Sequence, residues 1–175
     1  MSDRPLNARV IPSIFTLLNL LFGFAALIWT LDRHFHFAAG MILLSVLMDS
    51  MDGKVARKLA VSSDFGKELD SLSDLVSFGV APAILIYTAF LRSNLGLWGV
   101  LVAAVFALCG AVRLARFNVL NISTYFIGVP ITFAGGFMAL LTFFNEFLPW
   151  FFYPASLLIL SFLMVSTFKV PKLGK

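Results

Sequence analysis

The chain has 175 residues, of which 60% are hydrophobic and only 13% charged, about half the ~25% usual in soluble domains. With a mean hydropathy of +0.96, this balance excludes a water-soluble fold; at roughly 20 apolar residues per span it leaves room for about six membrane-crossing helices and short connections. The net charge of +4 points to an asymmetry of Lys and Arg across a bilayer rather than to nucleic acid, since no soluble basic patch is available to carry that binding.

In chain order, residues 1–11 read as a short interfacial segment carrying Arg4 and Arg9, with no small-residue cleavage site in the apolar stretch that follows. Apolar runs at about 12–31, 35–56, 71–91, 95–117, 128–145 and 150–168 then predict six helices. The expected architecture is an all-α integral membrane bundle of six transmembrane helices, one domain over 1–175. Placing both termini in the cytoplasm collects eleven Lys and Arg on the inner side against Arg33 and Arg92 outside, a strong positive-inside pattern. In the first helix Ser13, Thr16 and Asn19 recur at three-residue spacing. Such a stripe either bonds neighbouring helices or orients groups of a site, and Asn19 is the deepest of the three. Cys109 lies inside an apolar run, has no second cysteine to pair with and reads as packing. His34 and His36 fall in an outer loop, remote from the acidic residues, and read as interfacial.

Six of the nine Asp and Glu residues fall between positions 49 and 74. Asp49 and Asp52 are spaced i, i+3 and share a helix face; Asp70 and Asp74, spaced i, i+4, share another, beyond an expected turn of about a dozen residues containing Gly66. A hairpin would bring four carboxylates to one point, where they repel strongly unless cations sit among them. Oxygen-only ligation without His or Cys favours Mg²⁺ or Mn²⁺, and four carboxylates suit a pair of ions about 3.5–4 Å apart. The plain alternative is a solvated hairpin end, but Asp49 borders the apolar stretch 41–48. Gly53 and Ala56 each follow an aspartate by one turn, so a flat ligand could approach the backbone there, or another helix could pack closely. Arg57 could anchor a phosphate or simply follow the orientation rule.

The segment Asp49-Ser-Met-Asp52-Gly53-Lys-Val-Ala56-Arg57, then eight residues, Gly66, three residues, Asp70, three residues and Asp74 resembles the D-x2-D-G-x2-A-R-x8-G-x3-D-x3-D signature of the CDP-alcohol phosphatidyltransferases at every fixed position. The resemblance implies a six-helix membrane enzyme, usually a homodimer, that displaces CMP from a CDP-linked donor with an alcohol. It implies two divalent ions on Asp49, Asp52, Asp70 and Asp74, with Asp74 also the general base. Gly53, Ala56, Arg57 and Gly66 would seat the CDP portion, with Thr16 and Asn19 beside it. The stretches 71–83, Arg113 to Asn118, Phe126 to Pro130 and 163–171 look like the small bacterial and archaeal phosphatidylserine synthases. That likeness implies CDP-diacylglycerol and L-serine as substrates and a site at the cytoplasmic face of the cell membrane. Arg113 and Arg116 are suited to the serine carboxylate or the lipid-linked phosphate, or else snorkel to the headgroups. A divalent-cation transporter is the contrasting expectation, and it would need polar groups through the membrane's full depth, whereas these acids gather at one end.

Overall fold

The computed structural model describes residues 6–59, 63–120, 126–166 and 169–170; side chains are described only for residues 13–55, 63–119 and 128–166. Apart from connecting turns and one two-residue strand pairing, the described residues are helical. Helix α1 spans Leu6–Leu31, α2 Phe35–Leu59, α3 Asp64–Leu95, α4 Leu97–Leu120, α5 Ile131–Thr142 and α6 Phe152–Val165. The strands β1, Phe126–Ile127, and β2, Lys169–Val170, pair antiparallel and tie the chain before α5 to the chain after α6.

Helices α1 to α4 are long and apolar enough to cross a membrane, whereas α5 and α6, of 12 and 14 residues, are shorter apolar helices. At 1.5 Å per residue these two reach only about 18–21 Å against a hydrocarbon core of ~30 Å. The sequence expects longer spans at 128–145 and 150–168. Pro130 stands just before α5, and around Asn145 and Pro149 the chain runs through successive turns, such as Phe147 N to Phe144 O and Phe152 N to Pro149 O, both 3.0 Å.

Helix α3 is the centre of the bundle: 56% of its apolar stretch is buried, against 28%, 28% and 22% for α1, α2 and α4. It contacts α1, α4 and α5, while α1 packs along α2 and α4 along α6. The outer faces carry large apolar residues at helical spacing, including Leu17, Leu21, Phe24 and Ile28 on α1 and Leu101, Val105, Leu108 and Val112 on α4. In water such stripes would be costly, and against lipid they are the expected surface.

Within α3 the backbone widens to π-helical turns at Leu75–Val80 and Tyr87–Leu91. Pro82 gives the first a cause: it has no N–H to offer the Phe78 carbonyl four residues earlier, and the Ala81 N–H reaches back to Val76. Two glycines let neighbouring backbones close on this turn. A Cβ at Gly135 of α5 would lie 2.5 Å from the Phe78 carbonyl oxygen, and one at Gly23 of α1 would lie 2.8 Å from Ser77 Cα. The widened turn begins immediately after Asp74, so this packing fixes where that carboxylate points.

Candidate active site

Helix α3 starts earlier than its apolar run suggests. Ser63 caps it, its side chain accepting the Gly66 N–H at 3.0 Å, so Gly66 lies in the first turn of a helix rather than in a loop. Asp70 and Asp74 therefore stand on the second and third turns, facing Asp49 on α2. One carboxylate oxygen from each of Asp49, Asp70 and Asp74 lies within 4.8 Å of the others. Asp49 and Asp74 are immediate neighbours, and two anions are stable so close only with a proton or a cation between them.

Asp52 borders this trio and feels the charges of Asp70 and Asp49. Its side chain is turned to α1, where Thr16 Oγ1 donates to its Oδ2 at 3.1 Å. Asn19 Nδ2 donates to Asp74 Oδ1, also at 3.1 Å. Two residues of the polar stripe of α1, Thr16 and Asn19, thus orient one acid each. Asn19 is itself held from its carbonyl, which accepts from Ser45 Oγ of α2 at 3.1 Å and Ser77 Oγ of α3 at 3.0 Å. Three helices converge on one buried backbone oxygen, and Asp74, 8% exposed, inherits that rigidity.

The donor set fits a hard divalent ion. All its ligands are carboxylate oxygens, and Asp70 Oδ1 is buried without a hydrogen-bond partner among the described residues, an arrangement that costs free energy unless a cation or donor meets it. Among the described residues none of the four acids has an ion-pair partner; the pair present is Lys67–Asp64, at the surface. Arg113 feels the charge of Asp74, and its buried Nε has no hydrogen-bond partner among the described residues. Arg116 is otherwise engaged, its Nη1 donating to the Val165 carbonyl at 2.7 Å and closing the end of α6. A Cβ at Gly53 would meet nothing within 4 Å, so the helix surface beside Asp52 has room for a ligand. The side chains of Ala56 and Arg57 lie outside the described residues.

Two contacts escape the sequence reading. Thr132, near the start of α5, stands beside the Asp49 carboxylate. Asn118 at the end of α4 bonds Ser71 of α3, its Nδ2 donating to Ser71 Oγ at 3.1 Å. A threonine in an apolar helix and an asparagine near a helix end are weak signals alone. Gly128 has a clearer reason for being glycine: its φ is +71°, and a Cβ there would lie 2.6 Å from the Met164 carbonyl oxygen at the end of α6.

A sequence model described as CDP-alcohol phosphatidyltransferase matches residues 9–167, which includes every residue of the acidic site. The chain belongs to the CDP-alcohol phosphatidyltransferase family. Within this family the chain is similar to the CDP-diacylglycerol–serine O-phosphatidyltransferase of Methanocaldococcus jannaschii, 43% identical over 90% of this chain and 71% of that protein. The enzyme of the same name from Bacillus subtilis is 39% identical over 94% of this chain and 92% of its own length. The archaetidylserine synthase of Methanothermobacter thermautotrophicus is 37% identical over 98% and 74%.

Proposed function

We propose that this chain transfers a phosphatidyl group from CDP-diacylglycerol to the hydroxyl of L-serine, releasing CMP. The observation that carries the reading is the convergence of Asp49, Asp70 and Asp74 within 4.8 Å in a phosphatidyltransferase whose relatives in three organisms are all named for serine chemistry. In the reaction the serine oxygen forms a bond to the donor phosphorus and the bond from that phosphorus to CMP breaks. Asp74 takes the hydroxyl proton as the new bond forms. Asn19 keeps the Asp74 carboxylate aimed through its 3.1 Å hydrogen bond, and Thr16 does the same for Asp52, while Thr132 stands beside Asp49. Two divalent cations, Mg²⁺ or Mn²⁺, held by the four aspartates, supply when bound the positive charge that offsets the diphosphate and the departing CMP. The uncrowded surface at Gly53 and the residues Ala56, Arg57 and Gly66 receive the nucleotide. Arg113, a half-buried cation near Asp74, is matched to the serine carboxylate or the donor phosphate, with Arg116 bracing the same helix end.

In this reading residues 1–175 form one membrane domain. Its six helices all cross or enter the bilayer, both termini are cytoplasmic, and the acidic site opens at the cytoplasmic face of the cell membrane. The lipid chains then stay in the bilayer while serine and CMP exchange with water. The working unit is a homodimer. The archaetidylserine synthase among the relatives favours one variant of the reading, an archaeol-type donor with the same acceptor.

Purified protein supplied with CDP-diacylglycerol should release CMP with L-serine and not with glycerol 3-phosphate or inositol phosphate. A chelator should stop the release, and Mg²⁺ or Mn²⁺ should restore it. Release with another alcohol in place of serine would overturn the acceptor. Divalent-ion flux into liposomes without CMP formation would overturn the enzyme reading altogether.

A further inference from the structure

At the end of the bundle away from the acids, a groove of about 590 Å³ runs between α3 and α4, within the ~300–1,000 Å³ range of ligand sites. Its walls include Ile84 and Tyr87 of α3 and Ala103 and Ala107 of α4, and its lining includes two guanidiniums, Arg33 and Arg92, but no carboxylate. Both arginines are exposed, and among the described residues neither has an ion-pair partner. Arg33 also lines a second cavity of about 320 Å³.

The backbone at Arg33 adds an independent observation. Helix α1 ends with Arg33 N donating to Thr30 O at 3.0 Å and His34 N to Trp29 O at 2.9 Å, a closure that puts Arg33 at φ +60°. Glycine takes this left-handed position without strain and arginine does not. The chain carries a long cationic side chain where the helix end alone favours none. All three tryptophans mark this same end: Trp29 in the last turn of α1, Trp98 in the first turn of α4 and Trp150 just before α6. Tryptophan concentrates at the level of lipid headgroups, so the two arginines stand at phosphate depth with an apolar groove leading away from them.

We propose that this groove binds an anionic glycerophospholipid, its phosphate held by Arg33 and Arg92 and one hydrocarbon chain lying along the alanine wall of α4. Charge complementarity selects this occupant over a second copy of the chain, because a two-fold contact would bring like guanidiniums to a groove without a carboxylate.

The full chain, released from nanodiscs of equal phosphatidylglycerol and phosphatidylcholine into a native mass spectrometer, should retain phosphatidylglycerol preferentially, by at least about fivefold. Arg33→Gly removes the guanidinium while relieving the backbone: the preference should fall toward unity as the melting temperature holds or rises, a combination that a merely structural role for Arg33 would not give. Arg92→Gln should lower the preference without changing the helix end, and Ala107→Phe should reduce retention of both lipids by filling the groove. Equal retention by the unaltered protein, or an undiminished preference in both arginine variants, would overturn the proposal. Displacement of the lipid by millimolar inorganic phosphate would reduce the site to an anion site and overturn it too, as would efficient self-crosslinking through Ala104→Cys with no lipid retained, which would assign the groove to a second copy.

Discussion

Replacing Asp74 by asparagine should lower the rate of CMP release by roughly 10²–10⁴-fold, the usual worth of a positioned proton acceptor, with a much smaller change in KM for the CDP-linked donor. The amide keeps the shape of the carboxylate and leaves its place in the widened turn of α3 intact, but it cannot take the hydroxyl proton. It would also set one amide against the Nδ2 of Asn19, which now donates to Asp74 Oδ1 at 3.1 Å. A second readout separates chemistry from folding. In the presence of a chelator the acids repel one another, so the variant should melt at a higher temperature than the unaltered protein. A variant with near-normal turnover and normal divalent binding would remove Asp74 from the proton-transfer role.

Gly135→Ala should destabilise the protein by roughly 1–3 kcal/mol, the cost of forcing an extra methyl into a filled core, and lower its melting temperature by several degrees. The added carbon would stand 2.5 Å from the Phe78 carbonyl oxygen and 2.6 Å from Phe78 Cα. Both are backbone atoms of a turn fixed by Pro82, so no side-chain rotation relieves the clash. Helix α5 must move instead, and with it Thr132, the neighbour of Asp49; CMP release should fall along with stability. Gly53→Ala is the informative contrast. A Cβ there meets nothing within 4 Å, and alanine favours the helix, so stability should hold or rise while KM for the donor increases. A Gly135→Ala protein that melts like the original would show that α5 and α3 are less tightly joined than these distances require.

The contrast between these two glycines also marks what a sequence discloses. Asp49, Asp52, Asp70 and Asp74 are legible because helical spacing alone puts each pair on one face, and the fixed positions around them carry the family resemblance. Thr16 and Asn19 are legible as a stripe, though the acid each one serves becomes visible only when α1 lies against α2 and α3. Thr132 is not legible: it meets Asp49 across more than eighty positions of chain, and a single polar residue in an apolar helix has no periodicity to betray its partner. The start of α3 is misjudged for a different reason. Lys67 and Glu68 interrupt the apolar run but suit a helix well, so hydropathy marks where the membrane begins while the Ser63 cap marks where the helix begins. The brevity of α5 and α6 follows from Pro130, Asn145 and Pro149, local breakers that a count of apolar residues passes over. The groove beneath Arg33 and Arg92 belongs to packing alone, since its walls come from helices whose separation no sequence pattern records.

Manganese binding, followed by electron paramagnetic resonance on the purified chain, reads the occupancy of the four-aspartate site itself. Titration should show two saturable Mn²⁺ per chain in the unaltered protein and at most one in Asp70→Asn, whose replaced oxygens include the buried Oδ1 that has no hydrogen-bond partner among the described residues. Mg²⁺ should compete, and CMP release should rise in step with site occupancy. Absence of saturable binding, or the same two ions retained after Asp70 is neutralised, would contradict the assignment of these carboxylates to metal and the phosphatidyl transfer built on it.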